Sequence, residues 1–313
     1  MIRTVLVCCI PGLLAGIAAS ADPIIIAHRG ASGHLPEHTL AAYAVAHAQG
    51  ADYIEPDLVL TKDGTFICLH DIHLEATTNV EEVFPDRKRD DGRWYAADFT
   101  LAEIKTLRVH ERLANRFPQD ALYFEVPTFE EMLKTVEALN TSAGRNAGVY
   151  PELKEPSWHA EQGLPMEAAF LEIIRAHNLD RLDAPIFVQC FEPDALKRLR
   201  GEMGCKAQMI QLISGGVIQD GMVTQDGLKA IAAYAQGIGP DKGRIVKNPE
   251  VVKWAHAANL KVHPYTLRAD QVPQTMGSFE DELRQFFATF GVDGIFTDHP
   301  GQAKIWVASH KEK

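Results

Sequence analysis

Short apolar runs alternate with longer amphipathic stretches along most of the chain, which predicts strands and helices in turn. Thr39 caps a helix that continues to Ala48 and stops before Gly50, and Thr128 with Glu131 forms a capping box. Further helices are predicted at 166–177, 193–200, 227–235, 249–258 and 279–290. Strands are predicted at 24–28, 53–60, 65–70, 149–152, 186–190, 208–213, 237–239, 261–266 and 294–297.

Repeated strand–helix units predict an α/β fold with a parallel sheet. The (β/α)8 TIM barrel fits best, because residues suited to chemistry end many of the strands, as active-site residues do in barrels. These residues are His28, Glu152, Phe191, Tyr265 and Asp298. A doubly wound sheet is the alternative, but no glycine-rich phosphate loop follows the first strand.

Two features depart from a regular barrel. Nine strands are predicted where eight are needed, and residues 61–64 are too few to hold a crossover helix. We expect a hairpin there, which would fold 66–70 alongside 55–60 and bring His70 near Glu55 and Asp57. Residues 72–127 are charged and turn-rich and predict an insertion on the catalytic face that covers the substrate, the alternative being a solvated excursion.

The N-terminus resembles a secretory signal. Arg3 is the only charge before Asp22, residues 5–18 are apolar, and residues 19–21 fit a cleavage site. We expect residues 1–21 to be a signal peptide, residues 22–313 to form one domain, and the protein to be periplasmic with no stable membrane anchor. A buried N-terminal helix is the alternative.

The formal net charge of −11 argues against binding to nucleic acid or to anionic membrane surfaces. Cys68, Cys190 and Cys205 would remain after cleavage, an odd number, and a Cys190–Cys205 bridge is left open.

The richest chemistry lies between His28 and Asp71. Glu55 and Asp57 are two apart in a strand, so both side chains point to one face and can converge on a cation. Oxygen ligands favour Ca²⁺ or Mg²⁺.

Glu152 is the natural third carboxylate, and Lys154 faces the same way and can neutralise phosphate. His28 and His70 allow one base and one acid in a single turnover, and Arg29 suits bidentate phosphate binding.

The spaced motifs resemble the glycerophosphodiester phosphodiesterase family over essentially the whole chain after residue 21. The bacterial periplasmic, calcium-dependent members are the most similar. The motifs are His28-Arg29-Gly30, Pro36-Glu37-His38-Thr39, Glu55-Pro56-Asp57, His70-Asp71, Tyr150-Pro151-Glu152-Leu153-Lys154, Val188-Gln189-Cys190-Phe191 and Val262-His263-Pro264-Tyr265.

This resemblance implies hydrolysis of glycerophosphodiesters to sn-glycerol 3-phosphate and an alcohol. It implies a metal, Ca²⁺ with Mg²⁺ as the alternative, on Glu55, Asp57 and Glu152, with His28 and His70 as the acid/base pair. At the substrate site, Arg29 and Lys154 would contact phosphate, Glu37 would support the histidine–arginine region, and Phe191 and Tyr265 would line the glycerol pocket.

The partners expected are small-molecule glycerophosphodiesters, and a homodimer is left open. Two other functions are weighed: a phospholipase-type phosphodiesterase on lipid substrates, and a non-catalytic solute-binding relative.

Overall fold

The computed structural model describes residues 22–118 and 121–310, so the predicted signal peptide lies outside the described residues. The strands of these segments are β1 (Ile24–His28), β2 (Tyr53–Glu55), β3 (Asp57–Leu60), β4 (Phe66–Cys68), β5 (Gly148–Val149), β6 (Glu152–Leu153), β7 (Phe187–Cys190), β8 (Gln208–Ile213), β9 (Gly237–Pro240), β10 (Lys261–Val262) and β11 (Gly294–Thr297).

The strands form a closed parallel barrel. Pairing runs β11-β1-β2-β5 in one sheet and β10-β9-β8-β7-β6-β3-β4 in the other. A parallel bridge between Leu267 and Thr297 and a 3.0 Å hydrogen bond from the Phe296 amide to the Pro264 carbonyl join the last two strands. The predicted TIM-barrel class is therefore confirmed.

Two predicted strands are each broken into two. β2 and β3 are separated by Pro56, and β5 and β6 by Tyr150 and Pro151. Proline has no amide hydrogen to donate to a sheet, so continuous pairing fails there. Counted as pairs, these four pieces give the barrel eight parallel strands.

The one predicted strand in excess of eight, at 65–70, is the second arm of a hairpin. β4 pairs antiparallel with β3, and the Gly64 amide donates to the Thr61 carbonyl at 3.0 Å across the turn. Gly64 has a φ of +76°, which glycine adopts without steric cost. The hairpin prediction is confirmed.

The helices among the described residues cover the outside of the barrel and part of the insertion. None of them has the length and apolarity needed to cross a bilayer. They are α1 (Leu40–Ala48), α2 (Val80–Val83), α3 (Leu101–Ile104), α4 (Phe129–Ala143), α5 (Pro156–Glu161), α6 (Met166–Ala176), α7 (Pro193–Lys197), α8 (Gln225–Ala232), α9 (Lys242–Lys247), α10 (Glu250–Ala257), α11 (Phe279–Arg284) and α12 (Pro300–Ser309).

The helix predictions hold within a few residues, and both predicted caps are formed. The predicted 193–200 and 279–290 helices each finish in wider π-type turns, over Arg198–Glu202 and Gln285–Phe290. Five further helices, α2, α3, α5, α9 and α12, were not predicted. α2 and α3 are only four residues long. α5 and α9 are only six residues long, and periodicity is too short to detect at that length.

Three apolar clusters hold these elements together. The largest lies between strands and helices, and a small one fills the barrel interior with Ile26, Tyr150, Phe187, Ile210 and Phe296. The third belongs mainly to the insertion and packs on Val59 and Ile67 of the hairpin; its members there include Leu74, Val80, Trp94, Phe99, Ile104, Leu107, Val109 and Val126. The insertion therefore has a core of its own, unlike a solvated excursion.

The three cysteines among the described residues are buried and unpaired. The Cys190–Cys205 bridge that the sequence left open is not formed.

Candidate active site

The end of β1 begins the site. His28 is the last residue of β1, and Arg29 follows with a φ of +58°, in the left-handed region that non-glycine residues seldom occupy. This turn aims the Arg29 amide at Glu55 Oε2, 2.7 Å away. Backbone strain at a residue held by several partners is characteristic of functional sites.

Three buried carboxylates meet where β2 ends and where β3 and β6 begin. One oxygen from each of Glu55, Asp57 and Glu152 lies within 4.8 Å of the others. Gln189 donates from Nε2 to Glu55 Oε1 at 3.1 Å, and His38 donates from Nε2 to Asp57 Oδ2 at 2.9 Å. The sequence prediction that these carboxylates converge is therefore matched by the geometry.

Two cations lie beside the triad. Lys154 Nζ is 2.8 Å from Glu152 and 3.7 Å from Asp57, and Arg29 Nε is 3.4 Å from Asp57. Arg29 also donates from Nη1 to Glu37 at 3.0 Å. Both cations are largely buried, so they act on the carboxylates with little solvent screening.

Burial and the neighbouring charges shift the pKa values of the three carboxyl groups. Burial and the charge of Asp57 raise the pKa of Glu55 well above its usual value. Burial likewise raises the pKa of Glu152 to about 8, against the attraction of Lys154. The pKa of Asp57 stays well below its usual value despite burial, because Lys154, His70 and His38 favour its ionised form. Without a further cation, the site would therefore hold protons on some of these carboxylates near neutral pH.

The two histidines each have a carboxylate partner. His28 donates from Nδ1 to Asp298 Oδ1, and His70 donates from Nδ1 to Asp71 Oδ1, both at 2.7 Å. The ionised partners fix the proton on Nδ1 and leave Nε2 for proton transfer. Burial and the positive charge of Arg29 lower the pKa of each imidazole to about 4. Both rings are therefore neutral at pH 7.

These groups surround one cavity of about 250 Å³. The structure brings together almost all predicted site residues there: His28, Arg29, Glu55, Asp57, His70, Glu152, Lys154, Phe191 and Tyr265. Glu37 is the exception, because it lies behind the cavity lining and binds the guanidinium groups of Arg29 and Arg112.

Several polar residues of the site had no role assigned from sequence. Gln189, Asp241, Lys242 and Arg268 line the cavity, and His38 holds Asp57. Gln189 and His38 stand inside the recognised motifs, so the motifs could have indicated them. Arg268 and the insertion's arginines have no local signal, because an arginine in a charged loop looks the same whether it is solvated or buried.

The fold and the cavity together define a β/α barrel with a candidate active site lined by carboxylates, cationic side chains and imidazoles. A model of the glycerophosphoryl diester phosphodiesterase family matches residues 28–302. The chain belongs to this family.

Relatives match over nearly the whole length. The glycerophosphodiester phosphodiesterase of Haemophilus influenzae is 34% identical, covering 92% of this chain and 90% of its own. That of Treponema pallidum is 30% identical and covers 92% of each. A solved glycerophosphoryl diester phosphodiesterase structure from Silicibacter pomeroyi superposes with a TM-score of 0.73 at 26% identity, over 92% of this chain and 93% of that one.

A phosphodiesterase of Oleispira antarctica, solved in complex with the product sn-glycerol-3-phosphate, has the same fold. Its TM-score is 0.67 at 22% identity, over 91% of this chain and 97% of that one.

Proposed function

We propose that this enzyme hydrolyses small glycerophosphodiesters to sn-glycerol 3-phosphate and an alcohol, with a divalent cation on Glu55, Asp57 and Glu152. The observation that carries the proposal is one cavity lined by a buried carboxylate triad, the cationic side chains of Arg29 and Lys154, and two imidazoles. The names of the relatives and the product bound to the Oleispira phosphodiesterase support this substrate class.

The residues present fit a hard divalent cation. The donor set is all oxygen, every member is buried, and burial together with the neighbouring carboxylates raises the pKa values of Glu55 and Glu152, an effect that a bound cation would offset. When bound, such an ion polarises the phosphoryl oxygens and offsets negative charge in the transition state. Carboxylate oxygens suit both Ca²⁺ and Mg²⁺, and we propose Ca²⁺ with Mg²⁺ as the alternative.

The charge around the triad suits an anionic substrate. The ionised triad carries three negative charges, and Arg29 with Lys154 supplies two positive ones, so a divalent cation would leave this group with one positive charge. Lys242 and Arg268 also line the cavity, against Asp241. A negatively charged phosphodiester is therefore attracted to this site.

The histidines carry the protons. Neutral Nε2 of one imidazole removes a proton from the attacking hydroxyl group, either water or the glycerol 2-hydroxyl. The other imidazole, protonated on Nε2 once the anionic substrate is bound, donates that proton to the leaving alcohol oxygen. Burial and the charge of Arg29 lower the pKa of both rings, and an anionic phosphate placed beside Arg29 offsets the second effect and so favours protonation of the acid partner.

Phe191 and Tyr265 form the apolar wall of the cavity. Their rings contact edge to face with centroids 5.9 Å apart, and Lys154 Nζ lies 5.7 Å from the Phe191 ring centre. We propose that the glycerol carbons lie against this wall while Arg29 and Lys154 hold the phosphate.

The test is release of glycerol 3-phosphate from several glycerophosphodiesters with Ca²⁺, Mg²⁺ or a chelator. We expect cation-dependent release, and His28→Ala and His70→Ala should each lose roughly 10²–10⁴-fold in kcat. A matched control is His256→Ala, which removes a histidine on the outside of α10. No release from any diester would refute the substrate class, and near-full activity of both histidine variants would refute the roles.

We also propose that residues 1–21 direct export to the periplasm, on the strength of the apolar run and the small residues at 19–21. Mass spectrometry of protein recovered from the periplasmic fraction should show a chain that begins at Asp22. A full-length chain found only in the cytoplasm would contradict this.

A further inference from the structure

One irregular stretch of the insertion, residues 109–118, lies against the catalytic face of the barrel. It is anchored at its start, where Val109 bridges Thr78 and Phe124 and the His110 amide donates to the Thr77 carbonyl at 2.9 Å. From this stretch Arg112 and Arg116 extend to the carboxylates that hold the two histidines.

Arg116 is fixed on the His28 side. Its Nη2 donates to Asp298 Oδ2 at 2.8 Å, on the carboxylate whose other oxygen accepts from His28. The same guanidinium makes a fork with Asp270 at 2.8 and 3.0 Å and donates to the Ser32 carbonyl at 3.0 Å. Only 6% of the side chain is exposed, so these bonds are shielded from water.

Arg112 holds the His70 side in the same manner. Its Nη1 donates to Asp71 Oδ2 at 2.9 Å, on the carboxylate whose other oxygen accepts from His70. Its Nε and Nη2 form a fork with Glu37 at 3.1 and 2.9 Å, and Glu37 in turn accepts from Arg29.

We propose that Arg112 and Arg116 are positioning residues, and that this one stretch of the insertion fixes the orientation and tautomer of both catalytic histidines. The inference rests on the proposed acid/base roles of His28 and His70. Each arginine occupies the far oxygen of the aspartate behind its histidine, so that aspartate cannot turn away from the imidazole. Neither arginine lines the cavity.

The two aspartates differ in the number of arginines that bind them. Asp298 also accepts from Arg268 Nε at 2.7 Å, so it keeps one guanidinium when Arg116 is lost. Among the described residues, Arg112 is the one arginine bonded to Asp71. Loss of Arg112 should therefore cost more than loss of Arg116, and we expect kcat to fall roughly 10–100-fold for Arg112→Met and less for Arg116→Met.

The experiment compares kcat, KM and calcium affinity for Arg112→Met, Arg116→Met and the corresponding lysine variants. Arg108→Met is the matched control, because Arg108 lies in the same part of the insertion and stacks on Tyr123 away from the site. We expect lower kcat with KM and the calcium Kd changed by no more than a few-fold. Lysine should restore only part of the loss, because one ammonium group does not span two carboxylates.

Two further measurements separate positioning from a general loss of structure. In a protein that already carries Asp71→Asn, Arg112→Met should lower kcat only a little further, because both substitutions act on His70. The imidazole Nδ1–H proton resonances, assigned by their absence in His28→Ala and His70→Ala, should shift in the variant of the arginine on the same side only. Thermal melting identifies any variant that fails to fold, and the lysine variants then provide the comparison.

The outcomes separate this inference from the proposed function. If the histidine variants lose activity but both arginine variants keep wild-type kcat and unshifted resonances, the positioning role is wrong. If the fall in kcat of the Arg112→Met/Asp71→Asn double variant equals the product of the two single falls, Arg112 does not act through Asp71. If the histidine variants themselves stay active, the acid/base roles fail, whatever the arginines do.

Discussion

Replacing Glu152 by glutamine tests whether the triad is built for a cation. The substitution keeps the shape of the side chain and removes one negative charge from the three that meet within 4.8 Å. At an effective dielectric constant of 20, repulsion from Asp57 and Glu55 costs Glu152 at least about 7 kcal/mol in total. Attraction to Lys154 at 2.8 Å returns about 6 kcal/mol on the same scale.

Repulsion exceeds attraction on this scale and burial adds to it, so metal-free Glu152→Gln should be at least as stable as the parent at pH 7. The raised pKa of Glu152, about 8, likewise indicates that its negative charge destabilises the metal-free protein. The folded metal-free protein keeps a proton on Glu152 up to a pH of about 8, whereas the unfolded chain releases it above the usual carboxyl pKa of 4.5. The stability that this proton contributes is therefore lost as the pH rises from 4.5 towards 8.

With calcium present, the parent should become the more stable of the two proteins. A cation at a hundred times its Kd adds about 2.7 kcal/mol to the free energy of unfolding. For a chain of this size that corresponds to roughly 5–10 °C in melting temperature. The variant lacks one charged ligand and should gain much less.

Thermal melts of both proteins in chelator and in excess calcium give the comparison, with calorimetric titration for the Kd. Two results would refute the argument: a metal-free loss of 3–5 kcal/mol, as when an ordinary buried ion pair is broken, or an equal response to calcium.

Three further predictions concern other parts of the molecule. Burial lowers the pKa of His159 to about 4, and its ring nitrogens have no hydrogen-bond partner among the described residues. As the pH falls below 6.5, His159 is protonated in the unfolded chain before it is protonated in the folded protein, which should lower the free energy of unfolding by about 2 kcal/mol at pH 5. Denaturant melts should show that His159→Leu has the same free energy of unfolding as the parent at pH 8 and a higher one at pH 5. In a chain that begins at Asp22, burial raises the pKa of the thiols of Cys68, Cys190 and Cys205, so a thiol reagent should react with none of them until the protein unfolds; fast labelling of the native protein would contradict this. Phe191→Ala should raise KM by roughly tenfold, about 1.4 kcal/mol, through lost contact with the glycerol carbons, and steady-state kinetics showing an unchanged KM would place the glycerol elsewhere.

The barrel and the centre of its site follow from local patterns. Strand ends carry His28 and Glu152, and the spacing of Glu55 and Asp57 places them on one face whatever lies elsewhere in the chain. The hairpin was predictable because four residues hold no crossover helix. The breaks at Pro56 and Pro151 were visible as prolines, but the apolar run across each masked them.

The residues behind the site follow from tertiary structure alone. Asp298 was expected at a strand end, but nothing in its neighbourhood indicates that it would pair with His28. Arg112 and Arg116 belong to the segment that was predicted to be an insertion on the catalytic face, but nothing in its sequence shows which of its charged residues are buried. Their burial depends on the insertion having its own apolar core, and periodicity within short, irregular elements does not show such packing.

The bond between His28 and Asp298 joins residues 270 positions apart, His28 at the end of the first strand of the barrel and Asp298 directly after the last. Nearly all residues that line the cavity are synthesised before Gly294, yet until the final strand docks His28 lacks the carboxylate that accepts its Nδ1 proton. Under the proposed role of His28, full activity therefore requires the docking of the final strand. A chain that has lost or not yet added that strand should turn over substrate far more slowly, however complete the rest of its pocket is.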